Sequence, residues 1–261
     1  ILIPVFGGGD RGETWTMASS TLLVAAGFLI VWFGVKEQTG RRRLAPVEET
    51  AGAVISSGLR LSVKRPKIFM GFLVRLINTS PEYGMFIILP AVISTTLGWG
   101  QQRWLVMTIA VYAGNILFNA LFGTIGDRWG WRRTVQWFGI TGSAVGLLAW
   151  WYVPHWVPAG STWGFVVATA AGVFFGIMLA GFVPMGAIMP ALAPDDKGAA
   201  IAMYTTAAGG AAFSGAAIVA LVQPWGGDVG VVWAFVVLYA IGFVLVSFLK
   251  VPEDAKGARS H

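Results

Sequence analysis

Seven stretches of this chain are long enough and apolar enough to cross a lipid bilayer, and they limit the fold more than any motif does. They run Trp15–Val35, Ile68–Leu97, Trp104–Gly123, Thr134–Val153, Trp163–Leu192, Ala199–Val222 and Val229–Leu249. The hydrocarbon core is about 30 Å thick, so a spanning helix needs roughly 20 mostly apolar residues. An all-α, polytopic membrane fold is therefore expected, with seven transmembrane helices. Composition agrees: 56% of the residues are hydrophobic and only 11% charged, too few charges to coat a soluble domain of 261 residues. The second and fifth runs are longest, and each holds two prolines, Pro81 and Pro90, then Pro184 and Pro190. Bent or tilted single spans follow, rather than two spans in each run.

Charge placement predicts orientation. Of 18 Lys and Arg, eight lie between Lys36 and Lys67, three in the 124–133 loop, one at Lys197 and three from Lys250 onward. Basic residues accumulate in cytoplasmic loops, so these four segments are assigned to the cytoplasm and residue 1 to the opposite side. The net charge of +6 is thus a topological signal and implies no nucleic-acid partner. The segments expected are an external stretch with one span (1–35), a central cytoplasmic loop (36–67), a six-helix bundle (68–250) and a cytoplasmic tail (251–261). Within the loop, AVISSGLRLSVKRPK suits either a helix lying on the anionic leaflet or a solvated linker.

One loop carries more than topology requires. GTIGDRWGWRR, Gly123 to Arg133, places Arg128, Arg132 and Arg133 between two spans, as orientation alone would ask. It also holds Asp127, which weakens the positive bias, and three glycines. Gly123 closes an apolar run where a close helix approach would need a small residue. Asp127 suits hydrogen bonding at a neighbouring helix N-terminus or pairing with an Arg. Gly130 permits the positive φ of a tight reversal. Gly123-x-x-x-Asp127-Arg128-x-Gly130-x-Arg132-Arg133 resembles, at every defined position, the cytoplasmic loop signature of the major facilitator superfamily. The resemblance implies twelve helices in two six-helix bundles. Counted back from the C-terminus, the loop falls between the eighth and ninth helices, and the seven spans correspond to helices six to twelve. In that register five N-terminal helices are missing, and the chain alone is expected not to transport. The runs Val63–Pro90, Asn115–Gly139 and Ala180–Ala200 are also similar to the bacterial polyol permeases, the ribitol and arabitol carriers. That likeness implies a bacterial inner membrane, a small polar solute as partner and proton symport.

Ionisable residues inside a span are costly and tend to face a protein interior or a watery path. Arg75 and Glu82 are the two clear cases, seven residues apart on one helical face with Asn78 between them. Arg75 could instead snorkel to the interface. Glu82 is either paired, with Arg75 or another group, or held neutral. Asn78, Thr79 and Tyr83 offer hydrogen bonds for hydroxyls. On the next span Tyr112, Asn115 and Asn119 form a polar stripe, suited equally to a polyhydroxyl ligand and to interhelical bonding. Tyr204, Thr205 and Thr206 are further hydroxyls. The pairs Gly142/Gly146 and Gly172/Gly176 suit close helix packing, and Trp150, Trp151 and Trp156 suit an interfacial belt.

The residues exclude other classes. With no cysteine there is no thiolate metal site or Cys nucleophile. Neither His155 nor His261 lies in a span, and no mid-membrane Lys stands in the last helix for a retinal Schiff base. No catalytic residue, metal or cofactor is expected. A secondary transporter in the lipid bilayer is the leading expectation, with a truncated, non-transporting fragment or a seven-helix receptor-like protein as alternatives.

Overall fold

A computed structural model describes residues 9–34, 56, 60–61 and 63–251. The central loop, the external stretch 1–8 and the tail from 252 on lie largely or wholly outside the described residues, and so does about half of the segment weighed as a surface helix. Two units are distinguished, 1–50 and 51–261. In the first, α1 (Gly9–Gly34) is a continuous apolar helix. Every element below belongs to the second.

Helix α2 (Pro66–Ala91) starts with proline in its first turn, where a missing N–H costs nothing. It carries Pro81 without interruption and passes, just beyond Pro90, into a π-helical turn, Val92–Thr96. After α3 (Gln101–Trp129), the chain reverses at Gly130, where φ is 101°. Any residue with a Cβ would be strained there. Helix α4 (Trp131–Thr134), a π-helical stretch (Val135–Gly142) and α5 (Ser143–Trp156) then form one rod, 131–156. Helix α6 (Thr162–Ala180) is capped by Ser161, whose hydroxyl accepts from the Gly164 amide at 3.2 Å. It breaks at 181–184 before resuming as α7 (Met185–Leu192), so the bend expected of the fifth run is a real interruption.

Helix α8 (Lys197–Ser247) contains 51 residues. At about 1.5 Å per residue it would be roughly 76 Å long, more than twice the hydrocarbon thickness. Its backbone leaves the helical region at Gly227 (φ 61°, ψ −170°). Gly215 from the limb before that point and Phe235 from the limb after it both meet Gly84 of α2, so the limbs are neighbours. Length and apolarity alone mark five helices as spans. Helix α8 is one of these five, and the rod 131–156, rich in Trp, Gly and polar residues, is not among them, so the expected seven spans are not reproduced as seven separate helices.

Small residues set the packing, as it must where lipid tails are as apolar as the side chains. A Cβ on Gly176 would strike the Val111 carbonyl of α3, and one on Gly146 would meet the Phe175 backbone at 2.7 Å. Aromatic rings fill the space between: Phe86, Trp104 and Phe175 surround Trp150 at centroid distances of 5.8, 6.1 and 5.3 Å. Trp150 is 0% exposed, and its indole N–H donates to the Met107 sulfur at 3.4 Å. The interfacial belt expected of the Trp cluster therefore fails for Trp150 and Trp151, which are core residues, while Trp156 is 75% exposed. Gly176→Val is expected to lower the stability of the detergent-solubilised protein by about 1–3 kcal/mol, the range for overpacking. Gly209→Ala, with no atom within 4 Å of the added Cβ, is expected to leave the melting temperature near that of the parent.

Candidate functional site

Helical spacing on α2 sets out the site. Arg75, Asn78, Thr79 and Glu82 follow each other at intervals of three, one and three, so they share one face over two turns, about 10 Å along the axis. This face fronts a cavity of about 320 Å³ inside the bundle. Asn115 and Asn119 of α3 line it from another side, one turn apart. Leu179, Phe182 and Val183, at the break between α6 and α7, and Tyr204 of α8 complete the wall. Five of the seven pathway residues expected from sequence are therefore brought together: Arg75, Asn78, Glu82, Asn115 and Asn119.

Tyr112 stands next to that group. It interacts with the Glu82 carboxyl, stacks on Phe86 at 5.5 Å and is 41% exposed. Tyr83 is the exception. One residue past Glu82 turns it about 100° around the helix, and it is 44% exposed and away from the cavity. Tyr204, Phe182, Leu179 and Val183 carry no charge and, apart from the Tyr204 hydroxyl, no polar pattern, so only the fold puts them here.

The polar groups are partly committed. Asn78 donates to the Gly139 carbonyl at 2.7 Å, within the π-helical stretch, and its own carbonyl accepts from the Tyr239 hydroxyl at 3.2 Å. Asn115 donates to the Gly176 carbonyl at 3.0 Å, and Asn119 donates to Asn115 at 3.3 Å. The Asn78 and Asn119 side-chain oxygens and one N–H of each amide remain uncommitted. Arg75 closes no ion pair with Glu82: among the described residues the ion pairs within 4 Å join Arg65 to Asp195 and Asp196. Its guanidinium lies instead against the rings of Phe182 and Tyr204, 5.4 and 4.9 Å from their centroids.

The 123–133 loop is built as a separate feature at the end of α3. Gly130 holds the reversal, and its amide donates to the Gly126 carbonyl at 2.9 Å. Asp127 neither caps a helix nor pairs with an Arg; it accepts from the Trp131 indole at 2.9 Å. The close contact expected at Gly123 occurs one turn later. Gly123 has no atom within 4 Å of a built Cβ, whereas Gly126 would meet Pro184 at 2.6 Å. Arg128 and Arg133 are exposed and Arg132 half-buried. Through Gly126 the loop touches the same 181–184 break that supplies Phe182 and Val183 to the cavity.

Residues 71–261 match the family model of the major facilitator superfamily. The chain is 33% identical to the alpha-ketoglutarate permease of Bacillus subtilis over 94% of its length and 54% of that protein's. It is 35% identical to the D-arabinitol transporter of Klebsiella pneumoniae, over 71% of its length and 43% of that protein's. With the ribitol transporter of the same organism it shares 30% identity over 99% of its length and 60% of that protein's. The chain thus spans about half the length of these relatives, which are transport proteins and not enzymes. Asn78→Leu is expected to cost about 1–3 kcal/mol, because it strands the buried Gly139 carbonyl. Thermal unfolding in detergent would show it, with Tyr83→Phe, outside the cavity, as the near-neutral comparison.

Proposed function

The chain belongs to the major facilitator superfamily, and on that footing we propose that it carries out secondary active transport of a small, hydroxyl-rich polar solute. Sugar alcohols and related sugars or organic acids are the substrate class. The observation that carries this is the convergence of Arg75, Asn78, Glu82, Asn115 and Asn119 on one cavity between α2 and α3. Its volume lies at the lower end of the roughly 300–1,000 Å³ found for ligand pockets. A hydroxyl both donates and accepts, and the uncommitted oxygens and N–H groups of Asn78 and Asn119 together with the Glu82 carboxyl can meet both. The names of the relatives, two pentitol transporters and a keto-acid permease, support the same class.

In this scheme 68–250 forms one bundle of an alternating-access carrier, set in the bacterial inner membrane with its C-terminus in the cytoplasm. The 36–67 segment is the central loop. Glu82, the carboxylate in the cavity, takes up the coupling proton. The 123–133 loop acts as a latch: Asp127 and Trp131 hold one arrangement of the α3–α4 reversal against Pro184, at the end of the segment that also walls the cavity.

Two measurements test this. Cells expressing a twelve-helix carrier that contains this chain as its second half should accumulate labelled D-arabinitol or ribitol, and a protonophore should abolish the accumulation. Glu82→Gln should lower concentrative uptake at least tenfold with the protein still in the membrane; unchanged accumulation would remove Glu82 from coupling. Trp131→Phe, which removes the donor to Asp127, should alter the uptake rate several-fold without shifting half-saturation, because it touches no wall of the cavity.

A further inference from the structure

Arg75 is the one cation in the cavity wall, and no carboxylate among the described residues closes an ion pair with it. Its Nε is shielded from solvent and makes no hydrogen bond within the protein. No carboxylate lies within 4 Å of the guanidinium among the described residues. Contact with the faces of Phe182 and Tyr204 satisfies charge but uses no N–H donor. A guanidinium held by rings, with its Nη donors left for the cavity, matches the two oxygens of a carboxylate.

The remaining wall has the opposite character. Asn78 and Asn115 each give one N–H to a backbone carbonyl, of Gly139 and Gly176, and Asn115 accepts from Asn119, so the amides keep one N–H apiece and the oxygens of Asn78 and Asn119 stay uncommitted, groups that suit hydroxyls rather than a carboxylate. Glu82 adds a second acceptor group about two turns from Arg75 on the same face. A neutral polyol would satisfy the acceptors and leave the Arg75 fork unused in a confined space. A dicarboxylate would satisfy the fork and bring its second charge toward Glu82 with no further cation in the wall. A solute with one carboxylate and several hydroxyls answers both ends.

We infer that the cavity selects a hydroxylated monocarboxylate, an aldonate of about five carbons, with its carboxylate on Arg75 and its hydroxyls on Glu82, Asn78 and Asn119. This rests on the transport role proposed above and narrows it.

The test is uptake by cells expressing the same twelve-helix carrier, with labelled D-arabinonate, D-arabinitol and 2-oxoglutarate compared at equal concentration. The expected result is a preference for arabinonate of at least tenfold over both others. Arg75→Gln should reduce the arabinonate-to-arabinitol preference by roughly 10- to 100-fold, the range expected for one charge-assisted pair; Arg75→Lys should fall between. A wild-type preference for arabinitol or for 2-oxoglutarate would overturn the inference and leave the transport role standing. A preference for arabinonate that survives Arg75→Gln would also overturn it. Absence of uptake of all three would overturn the transport role and the inference together. The wild-type order of preference decides the matter even where a variant fails to reach the membrane.

Discussion

Close contact between helix backbones is what the bundle depends on. In a bilayer no water is released when two apolar helices meet, so association rests on packing and on the few polar bonds between them. The glycine positions supply that packing. Gly176 lies on the Val111 carbonyl of α3, Gly146 on the Phe175 backbone, and Gly215 against Ser80 and Gly84 of α2. Where the backbones come this near, Asn78 and Asn115 can reach carbonyls on other helices, and those two bonds in turn fix the amides that face the cavity.

The cavity sits where helical regularity fails. Asn78 is held by Gly139, inside the π-helical stretch Val135–Gly142. Phe182 and Val183 come from the interruption between α6 and α7. The two irregular segments touch: a Cβ on Gly139 would meet Gly181 and Phe182 at 3.1 Å. Irregular backbone at membrane depth is tolerated where it is buried in protein or lines a cavity, and both conditions hold here. Pro184 removes an amide at the break and gives the 123–133 loop its contact with Gly126. A change in that loop therefore has a direct path to the cavity wall.

Much of the site was legible because charge is rare in this chain. Arg75 and Glu82 stand out against apolar neighbours, and helical spacing alone puts them on one face with Asn78. The same spacing grouped Asn115 with Asn119 but could not say which way the stripe points. It also accepted Tyr83, because adjacency in sequence looks like proximity until the helix rotates it away. Phe182 and Tyr204 were not foreseen as partners of Arg75, since apolar residues in a membrane chain are too common to signal anything. The choice between snorkelling, pairing with Glu82 and ring contact was equally closed to the sequence, because each is compatible with Arg75 on that face. Gly123 and Gly126 differ by one turn, and only the position of Pro184 separates the one that packs from the one that does not.

By itself the sequence determined an all-α membrane fold, the family to which the Gly123–Arg133 pattern belongs, and the face of α2 on which polar groups meet. These follow from local quantities: the length of apolar runs, the alternation of basic loops and a 3.6-residue repeat. The tertiary structure decided which of those polar groups share a space, that Arg75 lies on two rings with its Nε unbonded, and that Trp150 is core rather than interface. Those outcomes depend on helix rotations and on breaks at 181–184 and 227, where contacts between residues distant in the chain outweigh any local preference.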